Sequence, residues 1–185
     1  GNMADKKYIG ISGQILAGKS TSAQFLVESF KAEFFEFSVL LGKLLHLLNL
    51  PLIRNNYQNL AEFLRKEYGR DVLANALIKA SEKSSAGILV FGGIRAVEEL
   101  EAFKKLPNFK LIYISAPEEL RYQRVLQRTE KKGEESISLE SFKQAENHPA
   151  ENKLELLMNL SDFKIENTGN IETFKKQLTE VLEKI

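Results

Sequence analysis

Short, mostly apolar runs alternate along this chain with longer stretches whose apolar residues recur every three or four positions. Residues 8–12, 33–37, 88–91, 111–114 and 163–166 have strand length, and their hydrophobic density suits strands covered on both faces. Helical spacing predicts helices over 19–30, over 56–68, over 71–83 and over 171–183. It also predicts one through Leu40, Leu41, Leu44, Leu45, Leu47 and Leu48, halted by Pro51. Pro117 suits the first turn of a helix running to about Arg128, and the polar stretch 130–136 reads as a loop. The leucine-rich segment 40–50, together with Phe34, Phe35 and Phe37, is expected in the core. Strands alternating with helices predict an α/β fold, a parallel sheet with helices on both faces. Ligands of such sheets bind at the carboxyl ends of the strands.

The first strand end carries Gly13-Gln14-Ile15-Leu16-Ala17-Gly18-Lys19-Ser20-Thr21, which spells G-x-x-x-x-G-K-S between a strand and a helix. That is the setting a phosphate-binding P-loop requires. Glycines let the loop curl until successive N–H groups converge on an anion, and the helix start adds its positive dipole end. Gly13, Gln14, Ala17, Gly18, Lys19, Ser20 and Thr21 are therefore expected to bind ATP. Lys19 would reach the β- and γ-phosphates, and the Ser20 hydroxyl would ligate Mg²⁺.

Bulk properties narrow the field. The 185 residues make one domain, taken as 3–185, with Gly1-Asn2 before Met3 read as the remnant of a removed tag. A net charge of +1 gives no global footprint for nucleic acid or membrane, and no apolar stretch is long enough to span a bilayer. Absent cysteine excludes disulfides and thiolate chemistry and fits a reducing cytoplasm. His46 and His148 are expected to be surface or helix residues rather than ligands.

Further features resemble the P-loop nucleotide kinases, namely the nucleoside and deoxynucleoside monophosphate kinases and the dephospho-CoA kinases. Phe91-Gly92-Gly93-Ile94-Arg95 is similar to their strand-end signature Asp-Gly-x-x-Arg, whose arginine grips the acceptor phosphate. Arg124 and Arg128 match the Arg-x-x-x-Arg of their lid helix, and Asn167-Thr168-Gly169 resembles the turn that lines their adenine. The resemblance covers nearly the whole chain. It implies a P-loop NTPase three-layer sandwich with five parallel strands ordered 2-3-1-4-5. It also implies a helical acceptor-binding insertion at about 39–83 and a lid at about 121–145. On this resemblance Lys19, Arg95 and Arg128 would be catalytic, and Ser38, Arg54, Gly93 and Arg95 would hold a small-molecule nucleotide acceptor. Arg121, Arg124 and Arg128 fall at i, i+3 and i+7 and share a helix face, whereas Arg65 is expected in solvent.

The acids depart from the pattern. Gly92 stands where those kinases carry the carboxylate that holds Mg²⁺ through water. Ser38 and Val39 stand where dephospho-CoA kinases place an aspartate. Glu36 is close by on a strand of undetermined facing, and Glu98 or Glu99 are further candidates. The candidate functions are a kinase moving the γ-phosphate of ATP to a nucleotide or nucleotide-like acceptor, a nucleotide-binding protein without turnover, and a regulatory NTPase.

Overall fold

The computed structural model describes residues 5–133, 135–146 and 152–185. The expectations for Gly1-Asn2 and His148 lie outside the described residues. Among the described residues the elements follow one another as β1 (Lys7–Gly13), α1 (Lys19–Phe30), β2 (Glu33–Glu36), α2 (Phe37–Leu47), α3 (Arg54–Tyr68), α4 (Val72–Ser81), β3 (Ile88–Gly92), α5 (Val97–Phe103), β4 (Lys110–Ser115), α6 (Glu118–Lys132), α7 (Leu139–Glu146), α8 (Asn152–Leu160), β5 (Phe163–Glu166) and α9 (Ile171–Glu183).

The five strands form one all-parallel sheet in the order β2-β3-β1-β4-β5, as the resemblance implied. Alternate residues of each strand enter opposite layers. Tyr8, Leu89, Phe91 and Leu111 join α2, α4, α5 and α8 through Leu41, Leu77, Phe103 and Leu157. Ile9, Ile11, Val90, Ile112 and Ile114 join α1 and α9 through Leu26, Phe174 and Leu178. Burial on both faces explains why the central strands read as unbroken apolar runs.

Several boundaries differ from the periodicity. β2 stops at Glu36 and Phe37 opens α2, its ring tilted against Phe103 at 6.4 Å between centroids. α3 begins at Arg54, two residues early, and α4 is confined to Val72–Ser81. Part of the expected 130–136 loop is helix: α6 continues to Lys132 and is closed by Gly133 at φ 69, whose N–H bonds to Glu130. Lysines 131 and 132 in that last turn favour the negative end of the helix dipole. The leucine-rich segment divides, with Leu41 and Leu45 buried but Leu47 79% and Leu48 60% exposed. A single-sided helix buries only one stripe, and these two leucines fall off it. Among the described residues no helix is long and apolar enough to cross a membrane.

Candidate functional site

β1 ends at Gly13 and α1 begins at Lys19, so the loop between them sits at the carboxyl edge of the sheet, flanked by β3 and β4. Both of its glycines are sterically required. A Cβ on Gly13 would lie 2.0 Å from the Ile114 carbonyl oxygen, and one on Gly18 would lie 2.6 Å from Asn167 Nδ2. Each also has positive φ, 146° and 114°. The loop is pinned at its start by the Gln14 N–H donating to Ile114 O at 3.1 Å, and turned by the Ala17 N–H donating to Gln14 O at 3.2 Å. Gln14 Oε1 accepts the Ala116 N–H at 3.2 Å, joining the loop to the turn after β4. Lys19 Nζ donates to the carbonyls of Gly13 and Gln14 at 2.7 and 2.8 Å, which folds the ammonium back over the loop.

Along α1, the Ser22 N–H bonds to Gly18 O at 2.9 Å. The N–H groups of Gly18, Ser20 and Thr21 precede it and have no intrahelical acceptor, the usual state of a helix start. All three residues line a cavity of about 610 Å³. Ile15 and Leu16 border this space without filling it, Ile15 being 52% exposed. The loop is thus curled and open, with donors and dipole aimed at one concavity.

Other elements bring charge to the same cavity. From the turn after β3 come Gly93 and Arg95; from α6 come Arg124, Gln127, Arg128 and Lys131; from β2 come Phe34 and Glu36. The Arg95 turn is held on two sides. Ser12 Oγ donates to Ile94 O at 2.7 Å, and the buried Glu99 accepts the Arg95 N–H at 3.2 Å. Glu99 also pairs with Arg65 at 3.1 Å, and burial raises its carboxyl above the ordinary value, with Arg65 and the turn N–H groups opposing. Arg124 donates to Leu16 O at 2.6 Å and so braces the phosphate loop from α6.

The expected site residues separate into groups. Gly18, Lys19, Ser20, Thr21, Gly93, Arg95, Arg124 and Arg128 line the cavity together. Gly13, Gln14 and Ala17, at the start of the loop or within it, and Asn167 behind it do not line the cavity but shape the loop; Asn167 is 5% exposed and donates to Ala17 O at 2.9 Å. Thr168 and Gly169 are exposed and do not border the cavity, although the Gly169 N–H bonds to Asn167 Oδ1 at 3.1 Å. Ser38 and Arg54 are likewise exposed and away from it. Ser38 turns outward because β2 has already given way to α2, and Arg54 opens α3 beyond that helix. Arg65 is not in solvent: its side chain is 21% exposed, paired to Glu99 and placed over the Phe37 ring. Arg121 leaves the face it shares in sequence with Arg124, being 3% exposed, bonded to Ala116 O at 2.9 Å and paired with Glu146. Glu98 and Glu99 do not supply an acid to the cavity; Glu99 is consumed by the Arg95 turn and Arg65.

The AAA domain family matches residues 9–151, more than three quarters of the chain. The chain belongs to the AAA domain family. It is 31% identical to a UPF0200/UPF0201 protein of Archaeoglobus fulgidus, over 98% of this chain and 56% of that protein. The chain therefore spans little more than half of that curated relative. It is also 31% identical to a UPF0200 protein of Sulfurisphaera tokodaii, over 68% of each. Among solved structures it resembles shikimate kinase from Bacteroides thetaiotaomicron, with a TM-score of 0.58 at 14% identity, over 96% of this chain and 97% of that one. The fold of this AAA domain chain is accordingly that of the P-loop kinases.

Within that fold, Phe34, Gln127 and Lys131 line the cavity without having been expected there, and Glu36, a candidate acid of undetermined facing, proves to line it too. Gln127 and Lys131 lie three and seven residues beyond Arg124, so the period of α6 carried their signal. Phe34 had none and the facing of Glu36 stayed open, because their approach depends on β2 pairing with β3, distant in sequence. The donor set suits a magnesium nucleotide. Cationic groups and amides can take polyphosphate oxygens, while the Ser20 hydroxyl and the Glu36 carboxylate are oxygen ligands of the kind Mg²⁺ prefers. Among the described residues no group of three or more His, Cys, Asp or Glu could hold a metal alone. A metal here would take much of its shell from phosphate and water.

Proposed function

We propose that this AAA domain chain is an ATP-dependent phosphotransferase whose acceptor is a nucleotide or nucleotide-like molecule, with a nucleoside monophosphate, a deoxynucleoside monophosphate or dephospho-CoA as the candidates. One observation carries the reading. A single cavity is lined by two phosphate-gripping sets from separate elements, the Lys19–Thr21 helix start and the arginines Arg95, Arg124 and Arg128. A protein that only stored a nucleotide would need the first set alone.

The residues divide the work. Lys19 and the amides ahead of α1 hold the β- and γ-phosphates, and Arg95, from the turn after β3, orients the acceptor by its forked donors. Arg128 offsets charge on the moving group, and Arg124 keeps the loop in shape through Leu16. Bound magnesium would neutralise phosphate charge beside Ser20. The acceptor oxygen bonds to the γ-phosphorus as the bridge to the β-phosphate breaks, and ADP departs with the electron pair. A monophosphate acceptor attacks through an anionic oxygen and gives up no proton, whereas the hydroxyl of dephospho-CoA would release its proton to water as the new bond forms. In-line alignment supplies most of the acceleration such a site can give.

A second reading has its own support: Gly92 supplies no acid at the strand end, which suits a nucleotide-binding protein without turnover. ADP release from Mg·ATP separates the two, measured against nucleoside and deoxynucleoside monophosphates and dephospho-CoA with an acceptor-free blank. Acceptor-dependent release at least tenfold over the blank is expected. Release no faster than the blank with every acceptor refutes the kinase.

A further inference from the structure

The β2 edge of the cavity holds a group that the proposed chemistry leaves unused. Glu36 is the one acidic residue among the described residues lining the cavity, where it faces Lys19, Arg95, Arg124, Arg128 and Lys131. Its carboxylate makes no hydrogen bond or ion pair within the described residues, so it is not retained as a structural tie. A bare carboxylate in a pocket for polyphosphate is repulsive unless a cation comes between the two.

Its facing follows from the pleat. Phe34 packs into the layer of α1 and lines the cavity, and residues two apart on a strand share a face. Glu36 keeps extended geometry at φ −139°, ψ 140°, so the alternation runs through it and turns it toward the phosphate loop. In register, Glu36 is the direct partner of Gly92 on β3. A side chain at position 92 would have to displace the Phe34 ring, because a Cβ there would lie 2.7 Å from two of its carbons. The aromatic ring fills the place of a side chain on β3, and the acid stands one strand over.

We propose that Glu36 is the carboxylate that orders Mg²⁺ beside Ser20, replacing across the β2–β3 pair the acid that Gly92 cannot supply. The assignment rests on the loop being a nucleoside triphosphate site. Wild type and Glu36→Gln are compared by calorimetric ATP binding, once in EDTA and once with excess Mg²⁺. Paramagnetic resonance of free Mn²⁺ gives the metal affinity with ADP present. Glutamine matches the shape of glutamate and breaks no bond in the fold, so thermal melting of the two proteins should coincide. The variant is expected to bind ATP in EDTA as tightly as wild type or tighter, since a repulsive charge is gone. Its gain in affinity on adding Mg²⁺ should fall at least tenfold, and its Mn²⁺ affinity likewise. A variant keeping the full magnesium gain and wild-type Mn²⁺ affinity overturns the assignment and leaves the triphosphate site standing; a Glu36 serving only as base toward the acceptor would give that result. Wild type binding no ATP under either condition would remove the site and this assignment together.

Discussion

Asn167 and Gly18 touch across the back of the phosphate loop, and their contact can be weighed in a double-mutant cycle. In Gly18→Ala the new methyl must accept φ 114°, a left-handed setting that costs about 1 to 2 kcal/mol for a residue with a Cβ. It also lands 2.6 Å from Asn167 Nδ2. That amide cannot swing aside freely, since it is 5% exposed and holds Ala17 O at 2.9 Å. Overlap in so packed a spot adds about 1 to 3 kcal/mol. Asn167→Ala alone breaks the bonds to Ala17 O and from the Gly169 N–H and strands a buried carbonyl, about 2 to 3 kcal/mol. In the double variant the amide is gone, so the overlap term vanishes and the backbone term stays. A Phe174 ring carbon at 3.2 Å keeps part of the crowding. The double variant should therefore be less destabilised than the sum of the singles by about 1 to 2 kcal/mol. Urea unfolding with linear extrapolation reads this, provided the slopes match across the four proteins. Additivity within about 0.5 kcal/mol would mean that the β5–α9 turn does not abut the loop and does not set its shape.

Two shorter tests follow. At ATP one hundred times its dissociation constant, wild type should gain about 2.7 kcal/mol, about 5 to 11 °C for a chain this size, and Lys19→Ala should lose that gain; an equal shift in both proteins refutes the loop assignment. Glu99 carries a pH signature. Burial raises its folded-state value above the ordinary 4.5, so its contribution to stability is fully present below about pH 4.5 and is lost as pH rises through the higher value. Glu99→Gln does not ionise, so its stability relative to wild type should improve between about pH 4 and about pH 7; a constant difference across that window contradicts the assigned environment.

What the sequence disclosed, and what it hid, follows the range of the interactions involved. The strand, loop and helix around Gly13–Ser20 are set within a dozen residues, and period and motif alone locate them. The parallel sheet was legible for the same reason, since each central strand is an apolar run with a helix after it. Boundaries moved where a tertiary contact outbid the local pattern. Phe37 looks like the last residue of a strand, yet it opens α2 because its ring has Phe103 to pack against. Leu47 and Leu48 look like core, yet α2 offers the sheet only the stripe of Leu41 and Leu45.

The arginines show the same limit in the site itself. Arg65, Arg121 and Arg124 are alike in sequence, each on an amphipathic helix with charged neighbours. What separates them is the element that packs opposite. α5 brings Glu99 to Arg65, and α7 brings Glu146 to Arg121, so both guanidiniums are neutralised away from the cavity. Among the described residues Arg124 bonds only to a carbonyl, that of Leu16, and a neutral partner leaves its positive charge at the cavity. Burying an arginine without a carboxylate is costly, so a carboxylate opposite marks a structural arginine and its absence a binding one. The converse holds for Glu36, a carboxylate to which, among the described residues, no arginine is bound in a cavity full of cations. Charge spent on holding the fold is paired within the chain, whereas charge left over at the cavity wall is matched to what the cavity binds.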